Sequence, residues 1–133
     1  MESIILASAS SRRQELLTQI GVRFTVRSQY IDESIRIGEL ANDYVSRMAQ
    51  EKANSALSAL CVTKDSSDPL VLAADTSVVC DATVLGKPLD EADAVDMLRR
   101  LSGREHRVLS AVTLSTQDKQ RTVLSESRVR FRE

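Results

Sequence analysis

The run Pro69-Leu70-Val71-Leu72-Ala73-Ala74-Asp75-Thr76 decides how the rest of the chain is read. Its apolar stretch, bounded by a proline and an acid, is short enough for a buried strand. The stretch breaks off abruptly at Asp75-Thr76, which places a carboxylate at the expected end of that strand. Open α/β sheets gather their ligands at the carboxyl ends of strands. The alternative is a turn-forming Asp that accepts hydrogen bonds from the backbone after it.

Working toward the N-terminus, the residues from about Leu40 to Leu60 form a helix. Tyr44, Val45, Met48, Ala49, Lys52, Ala56 and Leu60 recur on it at helical spacing. Thr63 to Asp68 reads as a surface loop. Phe24-Thr25-Val26 alternates as a short strand, and Gly21 stops a helix over Arg12–Ile20. Ser11, three residues before Gln14, fits a capping box for that helix. Ser3-Ile4-Ile5-Leu6-Ala7 is another short buried strand, and the small polar Ser8-Ala9-Ser10-Ser11 ends it in a loop.

Toward the C-terminus, Val78–Cys80 and Thr83–Leu85 flank Asp81-Ala82 as a hairpin, broken by Gly86-Lys87-Pro88. Asp90–Leu101 is a helix with acids at its positive end, Arg99 and Arg100 at its negative end, and Gly103 closing it. Arg107–Thr116 and Arg121–Phe131 are long strands joined at Gln117–Gln120. Units of βα type followed by an antiparallel pair predict an α/β fold with a mixed, twisted sheet flanked by helices. Ending on a strand predicts a sheet that is incomplete at the C-terminus, with an edge to cover.

Composition narrows the chemistry. The 133 residues suit one domain, and 42% hydrophobic with 28% charged content suits a globular one. Aromatic residues make up 3% and Trp is absent, so stacking of exposed bases on an aromatic platform is not expected as the main business. A net charge of −1 supplies no general field toward nucleic acid or anionic membranes. With His106 as the sole histidine, a His-rich metal site is excluded. Cys61 and Cys80 match no zinc or disulfide spacing and read as reduced thiols of a cytosolic protein. No apolar run approaches the ~20 residues of a membrane span.

Four segments are candidates for the site. In Ser8-Ala9-Ser10-Ser11-Arg12-Arg13, small side chains let a ligand reach the backbone, helix-start N–H groups favour anions, and two guanidiniums suit phosphate oxygens. The same residues also make a capped surface helix with solvated arginines, and the segment alone does not separate the two. Asp75 is placed to ligate a divalent cation or activate water. Asp32-Glu33, Lys52 and Lys87 supply carboxylates and positive charge of the kind phosphoanhydride hydrolysis needs. Lys87 sits in a constrained Gly-Lys-Pro loop, whereas Lys52 has the setting of ordinary helix surface. Ser102-Gly103-Arg104-Glu105-His106 follows a helix end, where a lone His is usually structural.

Taken in order, these motifs resemble the Maf family. The residues that carry the likeness are Leu6-Ala7-Ser8-Ala9-Ser10-Ser11-Arg12-Arg13-Gln14-Glu15-Leu16-Leu17, Asp32-Glu33, Ala49-Gln50-Glu51-Lys52-Ala53, Ala74-Asp75-Thr76, Leu85-Gly86-Lys87-Pro88 and Leu98 to Val108. The resemblance implies a single Maf/ITPase-like domain over residues 1–133. It also implies hydrolysis of nucleoside triphosphates between the α and β phosphates, dependent on Mg²⁺ or Mn²⁺. Asp75 would be the proton acceptor and a metal carboxylate, with Glu33 assisting at the metal. Ser8, Arg12, Arg13, Lys52 and Lys87 would hold the triphosphate. Arg12-Arg13 with Thr76 and the run ending in His106 resemble the subgroup acting on dTTP and UTP; the 7-methyl-GTP subgroup usually carries Trp near the first arginine.

A homodimer, a nucleotide substrate, no nucleic-acid or membrane partner and a cytoplasmic location complete the expectation. Ser11 stands where Pro is usual and Ala73 where Gly is usual. Family members continue past Glu133 into a segment with further lysine and glutamine ligands, which this chain is expected to lack. A non-catalytic nucleotide-binding module that regulates cell division or septum formation is the alternative.

Overall fold

The computed structural model describes residues 4–8, 10–62, 70–80, 83–85 and 90–130. The predicted loop over residues 63–68, the Gly86–Pro88 break and Lys87 lie outside them. The elements run β1 (Ile4–Leu6), α1 (Ser11–Gln19), β2 (Phe24–Val26), α2 (Ala41–Val62), β3 (Val71–Cys80), β4 (Thr83–Leu85), α3 (Glu91–Leu101), β5 (Glu105–Ser115) and β6 (Gln120–Arg130). The six strands form one mixed sheet in the order β2-β1-β3-β5-β6, with β4 paired to β3. Strands β1, β2 and β3 are mutually parallel where they pair, and β4, β5 and β6 add antiparallel partners. The predicted α/β class with a mixed sheet is the fold observed. Among the described residues no helix is long and apolar enough to cross a membrane.

The apolar stripe of α2 lies on one face of the sheet. Val45, Met48, Ala49, Ala53 and Ala56 are fully buried. The packing forms two groups. Ala53, Ala56 and Leu57 meet Ala7, Val71 and Ala73. Val45 and Ala49 meet Val79, Leu109 and Ala111. Small residues on both sides let helix and sheet approach closely. Lys52 falls between the two groups on the helix, and Asp75 falls between Ala73 and Val79 on the strand. Strand alternation turns Asp75 to the same face as Ala73 and Val79. An ion pair therefore divides the core in two.

Two local expectations are corrected. The N-cap of α1 is Ser10, extended at φ −69° and ψ 114°, and its Oγ accepts from Arg13 N at 3.3 Å. Ser11 is the first helical residue, so the Ser11–Gln14 capping box does not form. The serine run offers several caps, and backbone direction at the exit of β1 selects one. Secondly, β3 does not end at Asp75; it continues to Cys80. The acid interrupts the apolar run but not the ladder, because β5 pairs with β3 throughout Val71–Val79.

The other edge of β3 places Asp75 at an opening in the strand pairing. Along that edge β1 pairs with Val71 and Leu72, and β4 with Val78 to Cys80. Between them, none of the described strands pairs with residues 73–77 on this edge. The chain leaving β1 crosses the gap, anchored by Ala7 N donating to Leu72 O at 2.9 Å. Asp75 is thus in mid-strand yet just beyond the carboxyl end of parallel β1.

Candidate active site

The chain leaving β1 turns at once, and serine side chains hold the turn. Ser8 is buried, and its Oγ accepts from Ser10 N at 3.1 Å and from Arg13 Nη1 at 3.0 Å. Arg13 Nη2 reaches Thr76 Oγ1 at 3.5 Å, and Thr76 Oγ1 lies 3.0 Å from Ser110 Oγ. One guanidinium thus spans from the β1–α1 turn to β3. Ser110 was not anticipated, since only the pairing of Thr76 with Ser110 across β3 and β5 reveals it.

On the α2 side of the sheet, Lys52 Nζ donates to Asp75 Oδ1 at 3.1 Å and lies 3.5 Å from Glu33 Oε1. Lys52 is therefore not ordinary helix surface. Both it and Asp75 are mostly buried, while Glu33 is half exposed. Burial pushes the Asp75 carboxyl above its ordinary range; Lys52 and Arg13 pull it back, and Glu33 adds to the rise. A carboxylate of raised basicity beside solvent is suited to take a proton from water. A hollow of about 350 Å³, lined by Ser8, Ser10, Arg13, Tyr30, Glu33 and Lys52 among others, opens beside this cluster. Gln29 and Tyr30 at its rim sit in a segment with no motif to mark them.

Glu33 is carried on a long irregular segment that is clamped to α2. Arg47 makes two bonds to Glu39, at 2.7 and 2.8 Å, and one to Glu51 at 3.0 Å. It also donates to Ser34 O at 2.9 Å, and its guanidinium lies 5.6 Å from the Tyr44 ring centroid. The Tyr44 hydroxyl donates to Glu33 O at 2.6 Å. Neighbouring Asp32 turns its carboxylate to Ser34 N and Oγ, at 2.9 and 2.6 Å, as a turn cap.

The hydrogen bond from Arg47 holds the Glu39 carboxyl down to about 2. Its contribution to stability is complete above the ordinary carboxylate range and disappears as pH falls from about 4.5 toward 2, where the unfolded chain takes up the proton first. Melting curves between pH 6 and pH 3 are expected to show a loss of melting temperature that is smaller in Glu39→Gln. Equal slopes for the two proteins would remove Glu39 from the account.

The structure brings Ser8, Arg13, Glu33 and Lys52 to one hollow, and Asp75 joins them through its 3.1 Å contact with Lys52 Nζ. Thr76 is tied to them through Arg13 but faces the opposite side of the sheet. There it shares a second, more apolar groove of about 600 Å³ with Arg12, Leu16, Leu72, Ser110 and Val112. Arg12 is exposed on that side. His106 is not brought in. It is buried at the start of β5, five residues from Ala111, the partner of Asp75; that separation is roughly 17 Å of strand. Lys87 lies outside the described residues.

A divalent cation fits the carboxylates. Asp75 and Glu33 converge on one point, marked by Lys52 Nζ, with hard oxygen donors suited to Mg²⁺ or Mn²⁺. Among the described residues no group of three His, Cys, Asp or Glu forms a closed cage. Mg²⁺ typically binds through one or two carboxylates plus substrate phosphates and water, which is the pattern two acids would serve.

Comparison with known proteins bears on this geometry. A dTTP/UTP pyrophosphatase of Hahella chejuensis is 47% identical over 130 residues, 98% of this chain and 63% of the relative. A dTTP/UTP pyrophosphatase of Shewanella oneidensis is 48% identical over 134 residues, 97% of this chain and 68% of the relative. The chain thus spans about two-thirds of the length of these relatives. Among solved structures, the Staphylococcus aureus Ham1 protein superposes with a TM-score of 0.56 at 16% identity, covering 96% of this chain and 70% of that one. That likeness is one of fold. The Maf-like protein family model matches residues 3–133, so the whole of the described sheet and all its helices lie within the match and the chain belongs to the Maf family.

Proposed function

We propose that the hollow beside Asp75 hydrolyses dTTP and UTP between the α and β phosphates, releasing the nucleoside monophosphate and pyrophosphate. The observation that carries this reading is the convergence of Asp75 and Glu33 on Lys52 beside the Arg13-bearing turn. The dTTP/UTP pyrophosphatase names of the relatives support the substrate class.

Asp75 takes the proton from a water whose oxygen bonds to the α phosphorus. The bond from that phosphorus to the bridging oxygen breaks, and pyrophosphate departs with the electron pair. The raised basicity of Asp75 suits it to this proton. Arg13, oriented by Ser8, presents N–H groups where negative charge collects on the phosphates. Lys52 adds a movable ammonium, and Lys87 is a further phosphate contact in this reading, whereas Arg12 faces the groove on the other side of the sheet. Asp75 and Glu33 would hold the divalent cation. When bound, it neutralises phosphate charge and polarises the phosphoryl oxygens.

The test is a panel of nucleoside triphosphates with Mg²⁺ or Mn²⁺, scored for monophosphate plus pyrophosphate. Turnover of dTTP and UTP with those products is expected. Release of inorganic phosphate and a nucleoside diphosphate would refute the α–β cleavage. Binding of nucleotide without turnover would favour the non-catalytic, septum-related module instead.

Arg13 tests the binding half of the proposal. Its planar fork engages Ser8 and Thr76 together, which an ammonium cannot reproduce. Arg13→Lys is expected to raise KM for dTTP by roughly tenfold with a smaller change in kcat. Initial-rate curves decide it; an unchanged KM would take Arg13 off the substrate.

A further inference from the structure

We propose that Lys52 is a built-in counter-ion that holds the divalent cation's place between Asp75 and Glu33, and that it is displaced toward the phosphates when a cation arrives with nucleotide. This role deepens the pyrophosphatase reading and rests on it for the nucleotide half. Lys52 lies on the sheet-facing stripe of α2, between buried Ala49 and Ala53, where an ammonium with no partner is costly. Its Nζ is 3.1 Å from Asp75 Oδ1 and 3.5 Å from Glu33 Oε1. A single positive charge thus sits where two carboxylates meet, which is also where a cation bound by both would be. The ammonium and that cation exclude each other, by charge and by space.

The arrangement has a use. Two carboxylates facing each other with no cation repel, and Asp75 lies in an apolar wall. Lys52 keeps the pair together in the absence of metal. Its four-carbon stem gives the ammonium reach without moving the helix, and the hollow it lines also contains Arg13 and Ser8. A triphosphate entering with its cation exchanges one partner for another: carboxylates pass from Lys52 to the cation, and Lys52 passes from carboxylates to phosphate oxygens. A cation without nucleotide has to displace Lys52 with nothing to receive it. Metal and nucleotide are therefore expected to bind cooperatively.

A residue that merely binds phosphate, or merely props up the fold, would not act in opposite directions on two ligands. Removing a counter-ion does: it strengthens the binding of the cation and weakens that of the phosphates. Titration of Mn²⁺ alone into Lys52→Met is expected to give binding about tenfold tighter than in the wild-type chain, since a unit charge a few ångströms from a dication is worth at least that in a half-buried site. Inorganic tripolyphosphate in the presence of Mn²⁺ is expected to bind about tenfold more weakly to the same variant. Lys52→Arg retains the charge and should keep the wild-type Mn²⁺ affinity within about twofold. Lys52→Met/Glu33→Gln should lose the gain. Circular dichroism checks folding, and Lys52→Gln serves if the Met variant does not fold.

Equal or weaker Mn²⁺ binding in both neutral variants overturns the proposal, whatever the wild-type activity. If Mn²⁺ binding tightens but the wild-type chain neither binds nor hydrolyses nucleotides, the counter-ion role stands and the pyrophosphatase reading fails. If the wild-type chain hydrolyses dTTP and the variants show no gain in Mn²⁺ affinity, the reverse holds.

Discussion

Asp75→Asn is expected to lower pyrophosphate release from dTTP by about 10³-fold or more while the melting temperature stays within a few degrees. The size comes from two losses at one atom. A positioned general base contributes typically 10²–10⁴-fold, and the same carboxylate is one of the two proposed to hold the cation. The small stability effect comes from burial. The charged form of Asp75 is disfavoured where it sits, so a neutral amide of the same shape is tolerated, and its oxygen still accepts from Lys52. Steady-state rates with saturating Mg²⁺ and a thermal melt on one preparation make the comparison. Full turnover in the variant would show that another group takes the proton. Lost turnover together with a collapsed melt would reassign Asp75 to the fold.

The second large effect is expected at a residue that touches neither substrate nor metal. Arg47→Met removes the hub that fastens the Glu33 segment to α2 and leaves the Glu39 and Glu51 carboxylates without their shared cation. A melting temperature lower by roughly 5–10 °C is expected, in the range of a disrupted ion-pair network for a domain of this size. The concentration of metal giving half-maximal rate is expected to rise about tenfold, because Glu33 loses its fixed height above Lys52. At saturating metal, kcat should return to within a few-fold. That split distinguishes positioning from general damage, which would lower kcat at every metal concentration. Arg47→Lys keeps a charge but not the fork to Glu39, so an intermediate value is expected.

Much of the architecture was legible because its signals are local. The stripe from Tyr44 to Ala56 identifies α2 and its buried face, and the turn chemistry around Gly21 and Gly103 stops two helices. Gly21 does so with φ +77°, where Gly21 N and Val22 N cap the last turn of α1. The alternation in residues 107–130 marks the final hairpin. The N-cap at Ser10 was missed by one residue, because three serines within four residues offer equivalent caps. The continuation of β3 through Asp75 was missed because an acid in an apolar run looks like an end. In fact the backbone ladder to β5 does not depend on which side chain it carries.

The site was less legible, and for a physical reason. By itself the sequence determined which groups are available: two acids, two arginines, lysines at 52 and 87, and a serine-lined turn entering a helix, in an order that matches a family. Tertiary structure alone decided which of them meet. Strand pairing set Thr76 against Ser110, alternation put Thr76 and Asp75 on opposite faces, and register left His106 far along β5. Helix-on-sheet packing turned Lys52 inward between two carboxylates. Side-chain identity is written along the chain, but proximity between residues 33, 52 and 75 arises only when a sheet and a helix pack, and no local signal carries it.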